Sequence, residues 1–470
     1  MKQSAIGKFN MFASRLAEGY RNFVETIRSM VSLDICDLNY GFSCEAIGRL
    51  ENVGAIPKEG YLLRFGNYFY KMAKFLNVHM RQEKVRIPKG VILFFAGTKN
   101  QKDSLIPISE KIPNFWIVSN DPDVQASSMF PLFIAYLAAL PFLPLILWRL
   151  LKEHGYKRKS FRYNFDYYWL TYGYYVVALY WLRKISPRIV ITSNDHNMPN
   201  RVMTLAARIN KIPTVYVQHA SVNKRFPALN FDYAFLDGQN ALKVYDKVGK
   251  SNTKVFLIGT PKFDFFYKHI NRNLTLRTLG ICTNHFDPIE KVDVICKQIS
   301  ERLPDINVML RPHPGDVGRK EAWEKLAEKY SISFSNPKEE LSFEFLKRCD
   351  AVIVGDSNIL LEAALLNVYP LYYDFNSMKW DWYGFLANGL TEYHANPDEI
   401  SKKIQELIQR KPDVRQRCRT YCCTVEGRYD GHSSDLAALI IKALADGKTD
   451  FMHEWQRIPD VFLEAYELNN

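Results

Sequence analysis

Cysteine is scarce and irregularly spaced in this sequence. Its eight cysteines include no CxxC pair, which is the spacing that many structural zinc sites need. Cys418, Cys422 and Cys423, with His432 nearby, come closest to a ligand set, but no second matching pair accompanies them. We therefore expect reduced thiols in a cytosolic protein, and no zinc.

Several other signals are missing as well. The sequence has no GxGxxG fingerprint, no DxD-like metal motif at a convincing strand end, no internal repeat and no low-complexity tract. Residues 1–27 carry charges throughout and lack the apolar core of a signal peptide. These absences argue against a dinucleotide fingerprint and a repeat architecture. They predict that the protein is not exported and works without a bound metal or other cofactor.

Length and charge narrow the possibilities further. A chain of 470 residues is too long for one ordinary core, so two domains of about 200 residues are expected. Its 62 Lys and Arg against 50 Asp and Glu give a net charge of +12, which suits phosphate-bearing partners. Because the basic residues form no recognisable nucleic-acid-binding module, we expect no nucleic acid among the partners of this protein.

One segment departs from the soluble pattern. No charged residue occurs from Val124 to Trp148, and a basic, aromatic stretch follows from Arg149 to Trp169. The length permits a membrane span, but prolines at 131, 141 and 144 would interrupt a straight helix. Segment 124–151 is therefore predicted either to enter one leaflet, with the basic rim on anionic headgroups, or to form a buried helical hairpin. The sequence leaves both open.

The remaining pattern alternates strands and helices, which predicts an α/β chain with parallel sheets. We expect residues 1–85 to form a helical extension, 86–265 a first Rossmann-like domain, 279–445 a second, and 446–470 a helical tail, with a C-terminal helix that packs back. Strands are expected at 90–97, 115–119, 188–192, 214–217, 233–236 and 255–258 in the first half, and at 279–283, 306–310, 351–354 and 369–372 in the second.

Two strand ends in the second half carry phosphate-competent residues. Arg311 and His313 follow one apolar run, and Asp356, Ser357 and Asn358 follow another. The latter three can cap a helix from about Ile359 to Leu366, whose free N–H groups would face a phosphate. Glu362, one turn further on, can accept hydrogen bonds from a ribose. The pattern predicts a nucleotide-donor pocket.

The first half offers candidate bases at two strand ends. Asp195 and His196 follow the strand at 188–192, and His219 follows the strand at 214–217. With an ordinary imidazole pKa near ~6.5, either histidine is able to take a proton from an attacking hydroxyl at neutral pH. Asp195 is the alternative base, with His196 as its partner.

Taken together, these motifs resemble those of the GT-B superfamily, and more narrowly those of bacterial capsule and teichoic acid enzymes related to CDP-glycerol glycerophosphotransferases. The resemblance is carried by Gln218–His219, Gly259–Asp264, Arg311–Pro314, Gly355–Ser357 with Glu362–Ala363, and Tyr429–Gly431. It implies two facing Rossmann-like domains, a donor nucleotide in the second, an acceptor at the first, and catalysis without a metal. It places Arg311, His313 and Ser357 at the donor phosphates, Glu362 at the ribose, and His219 at the position of the family's first-domain histidine.

The leading hypothesis is a cytoplasmic transferase, peripheral at the inner face of the cell membrane, that moves a sugar or a polyol phosphate from a nucleotide-activated donor to a cell-envelope glycan or a lipid-linked acceptor. Capsule, O-antigen and teichoic-acid-like polymers are all possible products. One alternative is a nucleotide-sugar 2-epimerase. Another is a catalytically degenerate GT-B partner in a polysaccharide assembly complex.

Overall fold

A computed structural model describes residues 24–25, 28–43, 60–81 and 85–448. The predicted helical extension at 1–85 is described only in part, and most of the predicted tail at 446–470 lies outside the described residues.

The strands of the described residues are β1 Ile92–Ala96, β2 Phe115–Ser119, β3 Ser128–Met129, β4 Ile189–Thr192, β5 Thr214–Val217, β6 Tyr233–Leu236, β7 Lys254–Leu257, β8 Thr278–Cys282, β9 Asn307–Arg311, β10 Ser333–Phe334, β11 Ala351–Val354, β12 Tyr369–Tyr373 and β13 Glu392–His394.

The α-helices are α1 Ile35–Leu38, α2 Tyr40–Ser43, α3 Tyr61–Arg81, α4 Lys99–Ser109, α5 Leu132–Ala139, α6 Leu143–Lys152, α7 Gly155–Tyr163, α8 Phe165–Ile185, α9 Met198–Ile209, α10 Gln239–Val248, α11 Ile289–Arg302, α12 Lys320–Lys329, α13 Ser342–Leu346, α14 Ile359–Leu365, α15 Pro397–Gln409 and α16 Ser433–Ala445. Short 3-10 helices cover Leu140–Phe142, Pro261–His269, Val317–Arg319 and Arg415–Cys418.

Two parallel sheets organise these elements. The first has the strand order β3-β2-β1-β4-β5-β6-β7, and the second has the order β10-β9-β8-β11-β12-β13. Both place their first strand beside their fourth, which is the Rossmann arrangement. Every strand pair with a described register is parallel. The α/β prediction is confirmed.

The ten predicted strands are all present, within two residues at either end. Sequence reasoning missed β3, β10 and β13, which contain only two or three residues each. All three lie at or next to the rim of a sheet, where a strand needs no continuous apolar run because it is not buried on both faces.

By its internal contacts the chain divides into two compact units. One contains residues up to 102 together with 114–216, and the other contains 103–113 and 217–470. The boundary thus passes through α4 and β5. The domain limits expected from the sequence, 86–265 and 279–445, remain a prediction.

In the first unit, the apolar segment is a helical run of two unequal halves. Leu132–Lys152 is long and apolar enough to cross a membrane by length and composition alone, and its most apolar window has a mean hydropathy of 1.9 and is 28% buried. The α5 half packs on α8, where Gly173 leaves space for the backbone at Ala135 and Trp169 donates a hydrogen bond to the Ala139 carbonyl at 2.8 Å. The α6 half exposes Leu147, Trp148 and Leu151.

In the second unit, α16 returns to the 3-10 helix at Pro261–His269. The Asp264 carboxylate accepts hydrogen bonds from the backbone N–H groups of Ser433 and Ser434, at 3.1 and 2.6 Å. These two residues open α16, so the acid caps the helix from a distant part of the chain. The prediction of a C-terminal helix that packs back is confirmed for this contact.

Candidate functional site at the end of the second sheet

The strand order of the second sheet reverses between β8 and β11, which is where an open α/β sheet is expected to form its ligand crevice. The two strands are parallel neighbours, and β9 and β12 continue the sheet in opposite directions, so the connections diverge at their carboxyl ends. Gly355 follows β11, and a Cβ there would lie 3.3 Å from the Asn284 amide nitrogen, which follows β8. The crevice therefore lies beside the segments predicted to hold a phosphate.

The residues that follow β11 are held by tertiary contacts. The Asp356 carboxylate accepts from the backbone N–H of Trp382 at 2.8 Å, and the Asn358 side chain accepts from the backbone N–H of Ser221 at 3.2 Å. Asn358 is the N-cap residue of α14, but its side chain makes no capping hydrogen bond. The expected helix is therefore present, whereas Asn358 uses its side chain to fix the loop after β5.

Glu362 lies in the first turn of α14 and forms an ion pair that sequence reasoning missed. Its Oε1 accepts from Lys262 Nζ at 2.8 Å, and both side chains are mostly buried. Burial alone would lower the pKa of Lys262, but Glu362 and Asp237 outweigh it and raise that pKa. Lys262 belongs to the Gly259–Asp264 motif, but the sequence of this motif does not indicate which group the lysine contacts.

Asp237 follows β6 and completes this charged group. Burial raises the pKa of its carboxyl to about 8, against the opposing influence of Lys262 and of a hydrogen bond from Thr260 at 3.2 Å. The Gln218 amide oxygen accepts from the Asp237 backbone N–H at 3.0 Å. The loops after β5, β6 and β7 are thus joined to α14 through a chain of polar contacts.

Arg311 and His313 differ in accessibility. Arg311 is only 4% exposed, and its guanidinium donates to Ser335 Oγ at 2.8 Å and to the Glu340 carbonyl at 2.7 Å. His313 is exposed, and its Nδ1 accepts from the Gly315 N–H at 3.0 Å. A neutral ring held in this way carries its proton on Nε2. Neighbouring protein atoms displace part of the water around the ring, and this partial desolvation, together with the nearby His285, lowers the pKa of His313. The neutral ring, with its Nε2–H as donor, is therefore favoured.

Aromatic side chains line the same edge of the sheet, and sequence reasoning missed them too. Ring centroids lie 6.2 Å apart for His313 and His285, 5.6 Å for His285 and Phe286, 6.1 Å for Phe286 and Trp380, and 5.9 Å for Trp380 and Trp382. We call Phe286, Trp380 and Trp382 the ring ribbon. The signal available in the sequence was the pair of tryptophans shortly after the predicted strand at 369–372.

The candidate bases of the first half fall in different units. In the first unit, His196 Nδ1 lies 2.8 Å from Asp195 Oδ1, so the proposed acid–imidazole pair is formed there. Asp195 is buried and His196 is partly exposed. His219 belongs to the second unit, where it follows β5 and is partly exposed. Within the described ranges, no three His, Cys, Asp or Glu side chains cluster as a metal site would require.

No family model matches the chain, and no curated protein sequence matches it. Solved structures do match. A structure described as a UDP-N-acetylglucosamine 2-epimerase from Listeria monocytogenes aligns with a TM-score of 0.53 at 14% identity, over 77% of this chain and 98% of that one. The UDP-GlcNAc 2-epimerase from Neisseria meningitidis, bound to UDP-GlcNAc, aligns with a TM-score of 0.51 at 13% identity, over 76% and 100%.

The wall teichoic acid polymerase TagF aligns with a TM-score of 0.49 at 12% identity, over 83% of this chain and 100% of that one. Identities this low bear on fold alone. Together with the order of the two parallel sheets, the epimerase alignments lead to one conclusion: the chain has the GT-B fold that its motifs predict.

Proposed function

We propose that this protein is a transferase that moves a sugar or a polyol phosphate from a nucleotide-activated donor to a glycan of the cell envelope. The observation that carries the proposal is the reversal of strand order between β8 and β11: His313 follows β9, and Asp356, Ser357 and Glu362 follow β11, so all four lie on segments that leave the same edge of the second sheet. A fold of this kind binds its ligand at that edge.

The donor groups have distinct roles in this proposal. His313 Nε2–H and Ser357 contact the diphosphate, and backbone N–H groups near Asn358 add further donors. Lys262 holds one oxygen of Glu362, and the other oxygen takes the ribose hydroxyls. Arg311 donates to Ser335 and Glu340, and its positive charge acts on the phosphates through the field at the strand end.

The reaction needs a base for the acceptor hydroxyl. His219, or Asp195 with His196, takes the proton as the hydroxyl oxygen attacks the anomeric carbon or the phosphorus of the donor. The bond to the nucleotide breaks at the same time, and the nucleotide leaves with the negative charge that His313 and the backbone donors stabilise. No metal is assigned a step.

A nucleotide-sugar 2-epimerase is the second candidate. The fold match to an epimerase bound to UDP-GlcNAc favours a nucleotide-sugar ligand, and an epimerase would convert it without an acceptor. Incubation with UDP-GlcNAc alone separates the two, since an isomerised sugar in the absence of acceptor would favour the epimerase. A degenerate assembly partner is the third candidate, and it would bind no nucleotide.

The proposal also places the protein peripherally at the inner face of the cell membrane, where it would bind the anionic lipid surface. Its support is the exposed α6 surface, where Leu151 is 73% exposed and Lys152 Nζ lies 4.8 Å from the Trp148 ring. Co-sedimentation with vesicles that contain phosphatidylglycerol should therefore exceed that with phosphatidylcholine alone. Replacing both Trp148 and Leu151 by glutamate should abolish the difference, and unchanged binding would refute this surface.

The first experiment is thermal stabilisation by CMP, CDP, UDP and GDP. One nucleotide should raise the Tm selectively, and His313→Ala should remove most of that rise and most turnover without unfolding the protein. His269→Ala, an exposed histidine in the same unit, is the matched control and should behave as the wild type. If no nucleotide shifts the Tm, the transferase proposal loses its main support and the assembly partner replaces it.

A further inference from the structure

The ring ribbon is an aromatic surface at the edge of the candidate donor crevice. Phe286 is 50% exposed, and Trp380 and Trp382 are partly exposed. Their neighbouring rings meet nearly edge to face, at 83° and 76°. At the far end, the Arg225 guanidinium lies 3.5 Å from the centre of the Trp382 ring. Large aromatic side chains are normally buried, so an exposed series of them beside a crevice is typical of a binding surface.

Two side-chain oxygens that follow β11 and β8 have no hydrogen-bond partner among the described residues. The Asp356 carboxylate is attached to it, because one oxygen accepts from the Trp382 backbone N–H at 2.8 Å. Its other oxygen, Oδ1, has no hydrogen-bond partner among the described residues. Thr283, which follows β8, is 97% buried. Its hydroxyl also has no hydrogen-bond partner among the described residues. Buried polar groups are nearly always paired, so both atoms point to a ligand.

These two observations define the kind of group that would fit. A carboxylate oxygen accepts hydrogen bonds from hydroxyls and repels phosphate, whereas an indole or phenyl face packs against apolar C–H surface. A sugar or a polyol presents hydroxyls at its edge and C–H groups on its face. We infer that the ring ribbon, with Asp356 and Thr283, is the subsite for the sugar or polyol part of the donor.

The order of the chain agrees with this assignment, which rests on the proposed function. Glu362, assigned to the ribose, lies four residues after Asn358, or about 6 Å along a helix. The residues assigned to the diphosphate, Ser357 and Asn358, come next, and Asp356 with the ribbon comes on their other side. Ribose, diphosphate and sugar follow one another in the same order in a nucleotide-sugar.

Calorimetric titration separates this subsite from the nucleotide site. Dissociation constants would be measured for UDP and UDP-GlcNAc, and for CDP and CDP-glycerol. Trp380→Ala should weaken binding of whichever conjugate the wild type binds by about tenfold, the scale of a lost stacking contact, and leave the matching diphosphate within about twofold. Phe286→Ala, at a more exposed position, should act in the same direction, and Trp380→Phe should restore most of the affinity.

Asp356→Asn tests the polar half of the subsite and should weaken the conjugate alone. Phe265→Ala, an exposed aromatic elsewhere in the unit, is the control. Equal weakening of conjugate and diphosphate would assign the rings to the base and overturn the inference, and unchanged affinities would reduce the ribbon to packing. If the wild type binds neither diphosphate nor conjugate, the proposed function itself fails, and that outcome is visible before any variant is made.

Discussion

The two sheets share the order of their first six strands, but they differ in chemistry where their first and fourth strands end. At the first sheet, Gln101 Oε1 accepts from Gly97 N–H at 2.7 Å and from Asn200 Nδ2 at 3.2 Å, and Asn200 also donates to Thr192 Oγ1. Asn200 and Thr192 are buried. At the second sheet, the corresponding edge carries His313, Asp356, the ring ribbon and the Lys262–Glu362 pair.

The comparison shows that the strand order determines where a ligand crevice is expected, whereas the side chains at that place determine whether a ligand can bind there. The amide network of the first sheet consists of neutral groups that bind one another, which fixes the strand ends, and the Asp195–His196 pair that follows β4 lies outside this network. The second edge contains charged groups held by single contacts, polar atoms without partners among the described residues, and exposed rings. A ligand has more to bind there. Fold alone would not have distinguished the two edges.

The largest expected effect comes from Asp237, whose pKa is raised to about 8 by burial. The native state holds this proton more tightly than the unfolded chain, so stability falls as the pH rises from about 4 to about 8 and is level above that. Relative to Asp237→Asn, the wild type should lose ~1.4 kcal/mol per pH unit in this window. Urea unfolding of both proteins across the window measures it.

Asp305→Asn, at an exposed position, serves as the control for that pH series. Its free energy of unfolding should run parallel to that of the wild type. Parallel curves for Asp237→Asn as well would mean that burial does not raise the pKa of this carboxyl in the native state.

Asn200→Ala should produce the next largest effect. The change removes the donor to Thr192 Oγ1 and one of the two donors to Gln101 Oε1, which keeps the Gly97 N–H, and it leaves a cavity at a buried position, at a cost of about 3 kcal/mol of unfolding free energy. Because the network holds only neutral groups, the loss should be independent of pH between 5 and 9, and stabilisation by a nucleotide should be unchanged. Asn210→Ala, on a partly exposed residue that follows α9, should cost less. A loss of nucleotide stabilisation in Asn200→Ala would break the distinction between the two edges.

Lys262→Met should have the smallest effect on stability and a clear effect on binding. Removing the lysine leaves the Glu362 carboxylate mostly buried without its counter-ion, at a cost of about 2 kcal/mol, below the roughly 3–5 kcal/mol of a fully buried pair because both side chains are partly exposed. Nucleotide stabilisation should fall as well, because Glu362 is no longer held. Adding Glu362→Gln should recover part of the stability and none of the binding.

Lys268→Met, in the same 3-10 helix but exposed, is the matched control for that variant. Loss of stability in Lys262→Met with nucleotide stabilisation intact would make the ion pair structural only.

Sequence reasoning reached the strands that are buried on both faces and missed the shortest ones. β1, β4 and β11 are nearly continuous apolar runs, and such runs can be recognised directly in the sequence. Likewise, His313 was identified because it follows a predicted strand by a few residues, and Glu362 because it lies one turn into the helix predicted after another strand. Lys262 and the tryptophans follow strands too, but nothing in the local sequence tells which distant group each one meets.

The sequence by itself determined the alternation of strands and helices, and therefore the α/β class and the order in which polar residues follow the strands, because periodicity and turn chemistry are local properties. Only the tertiary structure decided which of those residues meet. Lys262 pairs with Glu362 across 100 residues, and Asn358 receives the Ser221 N–H across 137. Contacts of this range depend on how the sheets bring distant loops together, which no local pattern encodes.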